Sequence, residues 1–567
     1  MAVDINKLNQ RYQALRNERS PWDAAWRDLA EHFLPTKFRA DSDSSTRKPE
    51  VLNKKIVDTT GILDMRTLAA GMQGGMTSPV RPWFRLTLED ESDHTGEIGA
   101  WLDDVTKRMQ ALLHRSNFYN ASHSLYADLG TFGPGLLIET ADWTGLHFKL
   151  IPAGEYVLDV DDNGTVDTFM YRLRMSARQI IQQFGEDKAP DAVKTAASSP
   201  AAVTQFFDVV HAVFPRTDRI YGRMDAANMP YASVYWLSFG ENGGGKPCVL
   251  RESGFKSFPA FAPRWDVTGN DKYGRSPAMD VLSDCRMLQQ MGITTLKAMH
   301  KAVDPPVGVP VGLRSEGVDL TPGGLNYLDF TSNTNGEIKP IQQIQAQIIE
   351  AAELKIQAVQ QKIHDGLYAD LFKMLMLNDR RNITATEIDA REREKLSMLG
   401  PVVERLDKEL HSPLILRTFS LMEQFDALPP VPPSMQGAPL RVEFTSVLAQ
   451  AQRMANTSPI DQTVAFVANV APVRPEVTDI IDVEYTVRAY ADALGAPAAM
   501  LRSEQDVQQI RQARAEAQAQ AEQQAQAQLA IEQASQLSGA AKNLGQTPLG
   551  ADGQTAIDAL VGGLGGM

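Results

Sequence analysis

Residues 276–306 read "SPAMDVLSDCRMLQQMGITTLKAMHKAVDPP". Ser276 before Pro277 is an N-cap and N1 pair. The hydroxyl can accept an orphan N–H, and the fixed φ of proline suits the first helical turn. Val281, Cys285, Leu288, Gly292, Leu296 and Met299 then recur at three- and four-residue steps. The spacing predicts a helix to about residue 302, roughly 40 Å long at 1.5 Å per residue. Asp304-Pro305-Pro306 stops it. Residues 305–340 mix Pro and Gly with short apolar runs and read as a compact β/loop module. Ile341, Ile344, Ile348, Ala352, Ile356, Val359 and Ile363 follow, a narrow stripe of the kind that seams one helix to another. Two long helices flanking a small Pro/Gly module decide the fold.

On the N-terminal side, Leu8, Tyr12, Leu15, Trp22, Trp26, Leu29 and Phe33 predict a helix over 5–35, ended by Pro35. Further helical zones are expected at 54–76 and 97–130. From 135 to 265 short runs rich in Val, Tyr, Phe and Trp alternate with turn residues, which predicts a β-containing domain. On the C-terminal side, "GLYADLFKMLMLNDRRN" (366–382) leads into "ITATEIDAREREKLSMLGP" (383–401). Thr384 and Glu387 have capping-box spacing, and Gly400-Pro401 closes the segment. A helix over "VVERLDKELHSPLILRTFSLMEQF" (402–425), a Pro-rich break at 429–439 and helices near 445–470 and 476–500 follow. Residues 506–536 are mostly Gln, Ala and Glu, which favour helix but leave little to pack it. "GGLGGM" at the end reads as flexible.

At 567 residues the chain is too long for one core, and length alone suggests about three or four folding units. With 56 Lys and Arg against 70 Asp and Glu, the net charge of −14 disfavours tight binding of nucleic acid by phosphate neutralisation. Cys248 and Cys285 make neither a disulfide framework nor a metal set, and read as ordinary reduced thiols. No apolar leader opens the sequence, and no stretch has the ~18 apolar residues of a spanning helix.

Chemical motifs come close and fail. "GENGGGK" (240–246) matches the start of a phosphate-binding loop, but Pro247 stands where Ser or Thr should hold Mg²⁺. Strand-like runs on both sides favour a hairpin loop. "DVDDNG" (159–164) matches half a calcium loop, but Met170 replaces the bidentate Glu. Asn163-Gly164 instead signals a hairpin turn. The nine histidines form no metal or nucleophile pattern; His300 and His364 fit surface or seam positions on the two long helices. "DAREREK" (389–395) reads as a solvated helix face. No metal, cofactor or catalytic residue is expected.

Four stretches, "TLAAGMQGGMTSPVRPWFRL" (67–86), "YGRSPAMDVLSDCRMLQ" (273–289), "KAVDPP" (301–306) and "TATEIDAREREKLSMLGPVVERLDKELHSPLILRTFSLM" (384–422), resemble the head-to-tail connecting (portal) proteins of short-tailed, podovirus-type bacteriophages. Their joint order is what makes the likeness specific; it spans about residues 5–535.

That resemblance implies an α+β, mainly helical portal fold assembled as a ring, usually a homododecamer, around a channel for double-stranded DNA. It would comprise the N-terminal helical part of a wing (1–110), a β-containing wing (111–272), stem helix 1 (273–303), a small α/β clip (304–340) and stem helix 2 (341–365). A tunnel loop (366–383), wing and crown helices (384–500), an Ala/Gln-rich crown or barrel helix (501–540) and a flexible tail (541–567) would follow. It implies DNA-facing residues Lys373, Met374, Met376, Asn378, Arg380 and Arg381, and clip-interface residues Pro305, Pro306, Leu313, Arg314, Leu325 and Tyr327.

The implied partners are further copies of the chain, viral DNA bound without sequence preference, the terminase large subunit, tail adaptors, and the major capsid and scaffolding proteins, with no membrane. The implied place is the portal vertex of the virion, reached from the host cytoplasm during assembly. An acidic wall would repel phosphates and keep DNA centred. Lys373, Arg380 and Arg381 are then either sparse DNA contacts or ordinary surface charges and inter-subunit pairs. The Met374–Leu377 run is either an adaptable loop surface or core. The competing readings are a packaging ATPase or nuclease, motivated by "GENGGGK" alone, and a virion ring or adaptor that lines no DNA.

Overall fold

Ser276 does cap its helix. Its Oγ accepts the Met279 N–H at 3.3 Å and its hydroxyl donates to the Thr131 carbonyl at 2.7 Å. The cap therefore both starts the helix and ties it to the body. A computed structural model shows this; it describes residues 4–35, 37, 56–88, 97–200, 205–223, 225–238, 247–269, 271–308, 319, 339–340, 345–378, 398–433, 439–446, 463–470, 472, 474–483, 485–487 and 504–546. The chain divides into two units, residues 1–89 with 101–495, and residues 90–100 with 496–567, where length alone suggested three or four.

In the first unit, helix α1 (Ile5–Phe33) precedes α2 (Thr60–Met76), strand β1 (Phe84–Leu88), α3 (Glu97–Arg115, in this unit from Trp101 on) and α4 (Phe118–Phe132). The helical zone expected over 97–130 is thus two helices, broken at Ser116 and Asn117. Asn117 explains the break: its amide donates to the Phe148 carbonyl at 2.7 Å and accepts the Phe148 N–H at 2.8 Å. The side chain thereby pairs with a strand as a backbone would.

That strand, β3 (Gly145–Ile151), pairs with β2 (Leu136–Asp142) in a three-stranded sheet completed by β9 (Ala260–Phe261), in the order β3-β2-β9. A five-stranded antiparallel sheet runs β4 (Tyr156–Val160), β5 (Val166–Ser176), β6 (Phe206–Pro215), β7 (Tyr231–Leu237) and β8 (Cys248–Phe255). Alternation along the strands divides its faces. Val210, Ala212, Val234 and Trp236 pack under Leu8, Tyr12 and Leu15 of α1. Val209 and Leu237 pack under α5 (Ala177–Phe184) and α6 (Asp191–Ser198).

Both near-miss motifs fall on hairpins of this sheet. Residues 239–246, with "GENGGGK", lie outside the described residues, but they join β7 to β8, paired antiparallel with Leu237 opposite Cys248. The element that follows is a strand, so the strand–loop–helix context of a phosphate loop is missing. At 159–164, Asp161 Oδ1 accepts the N–H groups of Asn163 and Thr165 at 3.0 and 2.7 Å, and Gly164 takes φ +78°. Asp159 is engaged by Arg11 at 2.8 Å and Lys272 at 2.9 Å. The motif is a turn. Asp161→Ala is expected to lower stability by about 1 kcal/mol, while millimolar Ca²⁺ leaves the wild-type unfolding midpoint unchanged; calorimetry with and without Ca²⁺ checks both.

Helix α7 runs Pro277–Val303 with Asp304 at its C-cap. After it, β10 (Val307–Gly308) pairs antiparallel with β11 (Lys339–Pro340). Residues 309–318 and 320–338 of the expected clip lie outside the described residues, and Leu313, Arg314, Leu325 and Tyr327 are among them. The second long helix, α8 (Ala346–Gly366), begins after an N-cap at Gln345, later than the expected 341; residues 341–344 lie outside the described residues. The two helices are buried at their body ends, through Val281, Cys285 and Leu288 on α7 and Val359 and Ile363 on α8.

Next come α9 (Ala369–Asn378) and a helix over 398–424, here α10, whose middle, Asp407–His411, is a π-turn. Two acidic side chains of this segment, two residues apart, point different ways, as i and i+2 do on a helix. Asp407 accepts from His411 at 2.7 Å, and His411 meets the buried Tyr126 hydroxyl at 3.0 Å. Glu409 grips Arg264 through contacts of 2.6 and 3.3 Å.

Strand β12 (Leu440–Phe444) pairs antiparallel with β1, across some 350 residues of chain, and no local signal had suggested either strand. Of the helices expected near 445–470 and 476–500, the described residues are helical at 463–470, 483 and 485–487 and 3₁₀ at Pro475–Ile480, while 445–446 are not helical.

The second unit contains the Ala/Gln-rich helix, Glu504–Gln546, 43 residues whose described side chains are exposed almost throughout. It carries residues 541–546, placed in the flexible tail by the sequence reading.

Candidate functional site

Helix α8 ends at Gly366, where a methyl group would run into Val281 of α7. Two residues later Tyr368 sits at φ +54°, a left-handed conformation uncommon for a tyrosine. The chain turns there and α9 begins. The segment expected as a loop over 366–383 therefore opens with a helix of ten residues.

Buried Leu367, Ala369, Leu371 and Phe372 hold this corner. Phe372 lies against Gly71 of α2, so close that any side chain at 71 would occupy the ring's place. Tyr368 is near the Trp265 ring, with centroids 6.3 Å apart.

Polar contacts join the same elements. His364 Nδ1 on α8 meets Asp64 Oδ2 on α2 at 2.5 Å. Burial pushes the Asp64 carboxyl above its usual range, and the His364 contact opposes that. Gln360 donates to Asp58 at 2.9 Å, while Gln289 of α7 accepts the Val57 and Asp58 N–H groups and donates to the Asp58 carbonyl at 2.7 Å. The residues leading into α2 thus bind both long helices. Cys285 is buried beside them, and burial raises its thiol to about 12, so it stays protonated. Cys285 and Cys248 are both free thiols.

The expected DNA-facing residues divide as follows. Lys373 is half-exposed on α9, 3.7 Å from Asp370, whose other oxygen accepts from Gln361 at 3.0 Å. An exposed pair at that distance holds a lysine weakly. Met374, Met376 and Asn378 continue the backbone of α9. Arg380, Arg381, Thr384, Glu387 and residues 389–395 lie outside the described residues. At the expected clip, Pro305 is half-buried and Pro306 exposed, both just before β10. His364 is a seam residue and His300 an exposed one.

Sequence reasoning missed the seat that α2 makes for α9. One signal was available: Ala69, Ala70, Gly71, Gly74 and Gly75 crowd one helix. Glycine costs a helix about 1 kcal/mol against alanine, so such a cluster needs a packing reason.

Among the described residues no helix is long and apolar enough to cross a membrane, and no group of three or more His, Cys, Asp or Glu could hold a metal ion.

Comparison with known proteins gives a consistent picture. The family model described as "Bacteriophage head to tail connecting protein" matches residues 5–501. The chain is 38% identical over 511 residues to the "Probable portal protein" of Bordetella phage BPP-1, covering 90% of this chain and 91% of that one. It is 36% identical over 539 residues to the "Portal protein" of Salmonella phage epsilon15, covering 94% and 96%. Among solved structures, a chain titled "Neck of empty GTA particle computed with C6 symmetry" aligns over 75% of this chain and 90% of its own, at 12% identity and a TM-score of 0.34, a likeness too low to argue from.

Proposed function

From the premise that the chain belongs to the bacteriophage head-to-tail connecting protein family, we propose that twelve copies close into a ring at one capsid vertex and thread double-stranded DNA through its centre. Its function is that of a phage portal. The role is structural, without catalysis. The near-miss phosphate motif joins two strands of a hairpin, which leaves the ATPase or nuclease reading without its one support.

The observation that carries the ring is the state of α7 and α8 away from the body. Val303 is 86% exposed, Leu354 68% and Ile348 60%. Large apolar side chains left open along two adjacent helices call for neighbours to cover them. These helices form the stem. The module they flank, beginning at Pro305 and Pro306, is the clip that meets the terminase large subunit and tail adaptors. The β-containing body is the wing, facing capsid and scaffolding proteins. The ring assembles in the host cytoplasm and resides in the virion. Segment 366–383 faces DNA, with Lys373, Arg380 and Arg381 as light, non-specific contacts on an otherwise acidic conduit.

Electron microscopy of the purified protein is expected to show closed rings; protein that stays monomeric under all assembly conditions would overturn the reading. Replacing Lys373, Arg380 and Arg381 together with Ala is expected to reduce DNA packaging or retention severalfold while rings still form. Unchanged packaging and retention would remove these residues from the channel and favour a ring that lines no DNA.

A further inference from the structure

We propose that α2 is the seat that positions the DNA-facing segment, with Gly71 as the socket for Phe372. The inference rests on the reading of 366–383 as that segment. Helix α9 has ten residues, too few to hold a helix or a direction alone. Its link to α8 determines where it begins. Its direction needs a second anchor, and the buried contact of Phe372 with Gly71 supplies one.

The anchor is specific because it exists through the absence of a side chain. Any residue but glycine at 71 puts an atom where the Phe372 ring stands. The strained Tyr368 corner persists because contacts on both sides hold it: Asp64 with His364 before it, and Gly71 with Phe372 after it. One turn earlier, α2 sets Met65 and Leu68 against Gly130 of α4, their side-chain ends 2.9 Å from where a methyl at 130 would stand. A shift of α2 therefore moves α9 with it, and the wing helices become part of what sets the channel segment. Gly71 is a positioning residue, acting through Phe372.

The test compares Gly71→Ala, Phe372→Ala and the pair Gly71→Ala/Phe372→Ala in assembled protein. Hydrogen exchange is read over 369–378 and 277–303, and DNA retention is read in filled particles. Each single variant is expected to speed exchange over 369–378 by roughly tenfold, leave 277–303 unchanged and lower DNA retention. The pair, whose two changes strike one contact, is expected to speed exchange by less than the product of the two single effects. Unchanged exchange over 369–378 in both single variants overturns the seat, as do single effects that simply multiply in the pair. Faster exchange with unchanged DNA retention leaves the seat standing and overturns the DNA-facing reading. Phe372→Ala keeps the test decisive should Gly71→Ala fail to fold, because it releases the same contact by truncation.

Discussion

Arg417→Met is expected to lower the unfolding free energy by about 3–5 kcal/mol, the usual cost of leaving a buried charge without its partner. Arg417 lies on α10 and Glu139 on β2, and both are buried. Thr418 donates to Glu139 Oε1 at 2.9 Å, but the Arg417 Nε to Glu139 Oε2 contact is long, at 3.5 Å. Arg417 spends its stronger bonds on Ser257, at 3.0 Å to the carbonyl and 2.5 Å to the hydroxyl. Burial therefore outweighs the pair, and the Glu139 carboxyl is pushed up to about 7.

The sign of the pH dependence follows. A carboxyl that holds its proton more tightly when folded contributes stability fully present below the ordinary value of 4.5. That contribution is lost as pH rises through about 7. The Arg417→Met penalty should then be larger at pH 8 than at pH 5. Adding Glu139→Gln should recover most of it and flatten the dependence between those values. Urea unfolding followed by tryptophan fluorescence at both pH values measures this. Equal penalties at pH 5 and pH 8 would show that Glu139 is not the group left exposed to the cost.

Trp26→Ala is expected to cost about 3–5 kcal/mol, as large-to-small changes in a closed core do. Trp26 is fully buried on α1 and its indole N–H donates to the Phe132 carbonyl at 2.9 Å. Tyr273 meets it edge-on at 5.4 Å, and Trp22 and Phe132 complete the cluster. One side chain thus joins α1, the end of α4 and the segment leading into α7. Trp26→Phe keeps most of the apolar area but orphans the Phe132 carbonyl, and should cost about 1–3 kcal/mol. The urea midpoints of the two variants check the order; a Phe variant as weak as the Ala variant would mean that the hydrogen bond, not the packing, dominates.

These two sites differ in how far the sequence exposes them. Trp26 was legible: Trp22, Trp26, Leu29 and Phe33 repeat at helical spacing, and such a stripe must be buried somewhere. Glu139 and Arg417 stand 278 residues apart, and neither has a local pattern that betrays its partner. The same division runs through the molecule. The cap at Ser276, the stop at Asp304 and the turn at Asn163-Gly164 came from side chains acting on backbone within a few residues, and they stand where the sequence placed them. The break at Asn117 and the pairing of β1 with β12 depended on groups far along the chain, and both were missed.

The candidate site follows that rule. Its long helices, and the lysine on the segment after them, could be located from periodicity and charge. The arrangement that holds the segment could not, because Gly71 matters through what it lacks. A missing Cβ has meaning only once Phe372, some three hundred residues later, arrives beside it. The sequence by itself determined the long helices before and after the Pro/Gly module, the cap at Ser276 and stop at Asp304, the strand–turn–strand context of the two near-miss motifs and, through likeness, the family. Tertiary structure alone decided which distant groups share a buried site and that α2 packs against Phe372 of α9, because burial energy depends on who the neighbours are, and neighbours are set by the whole fold.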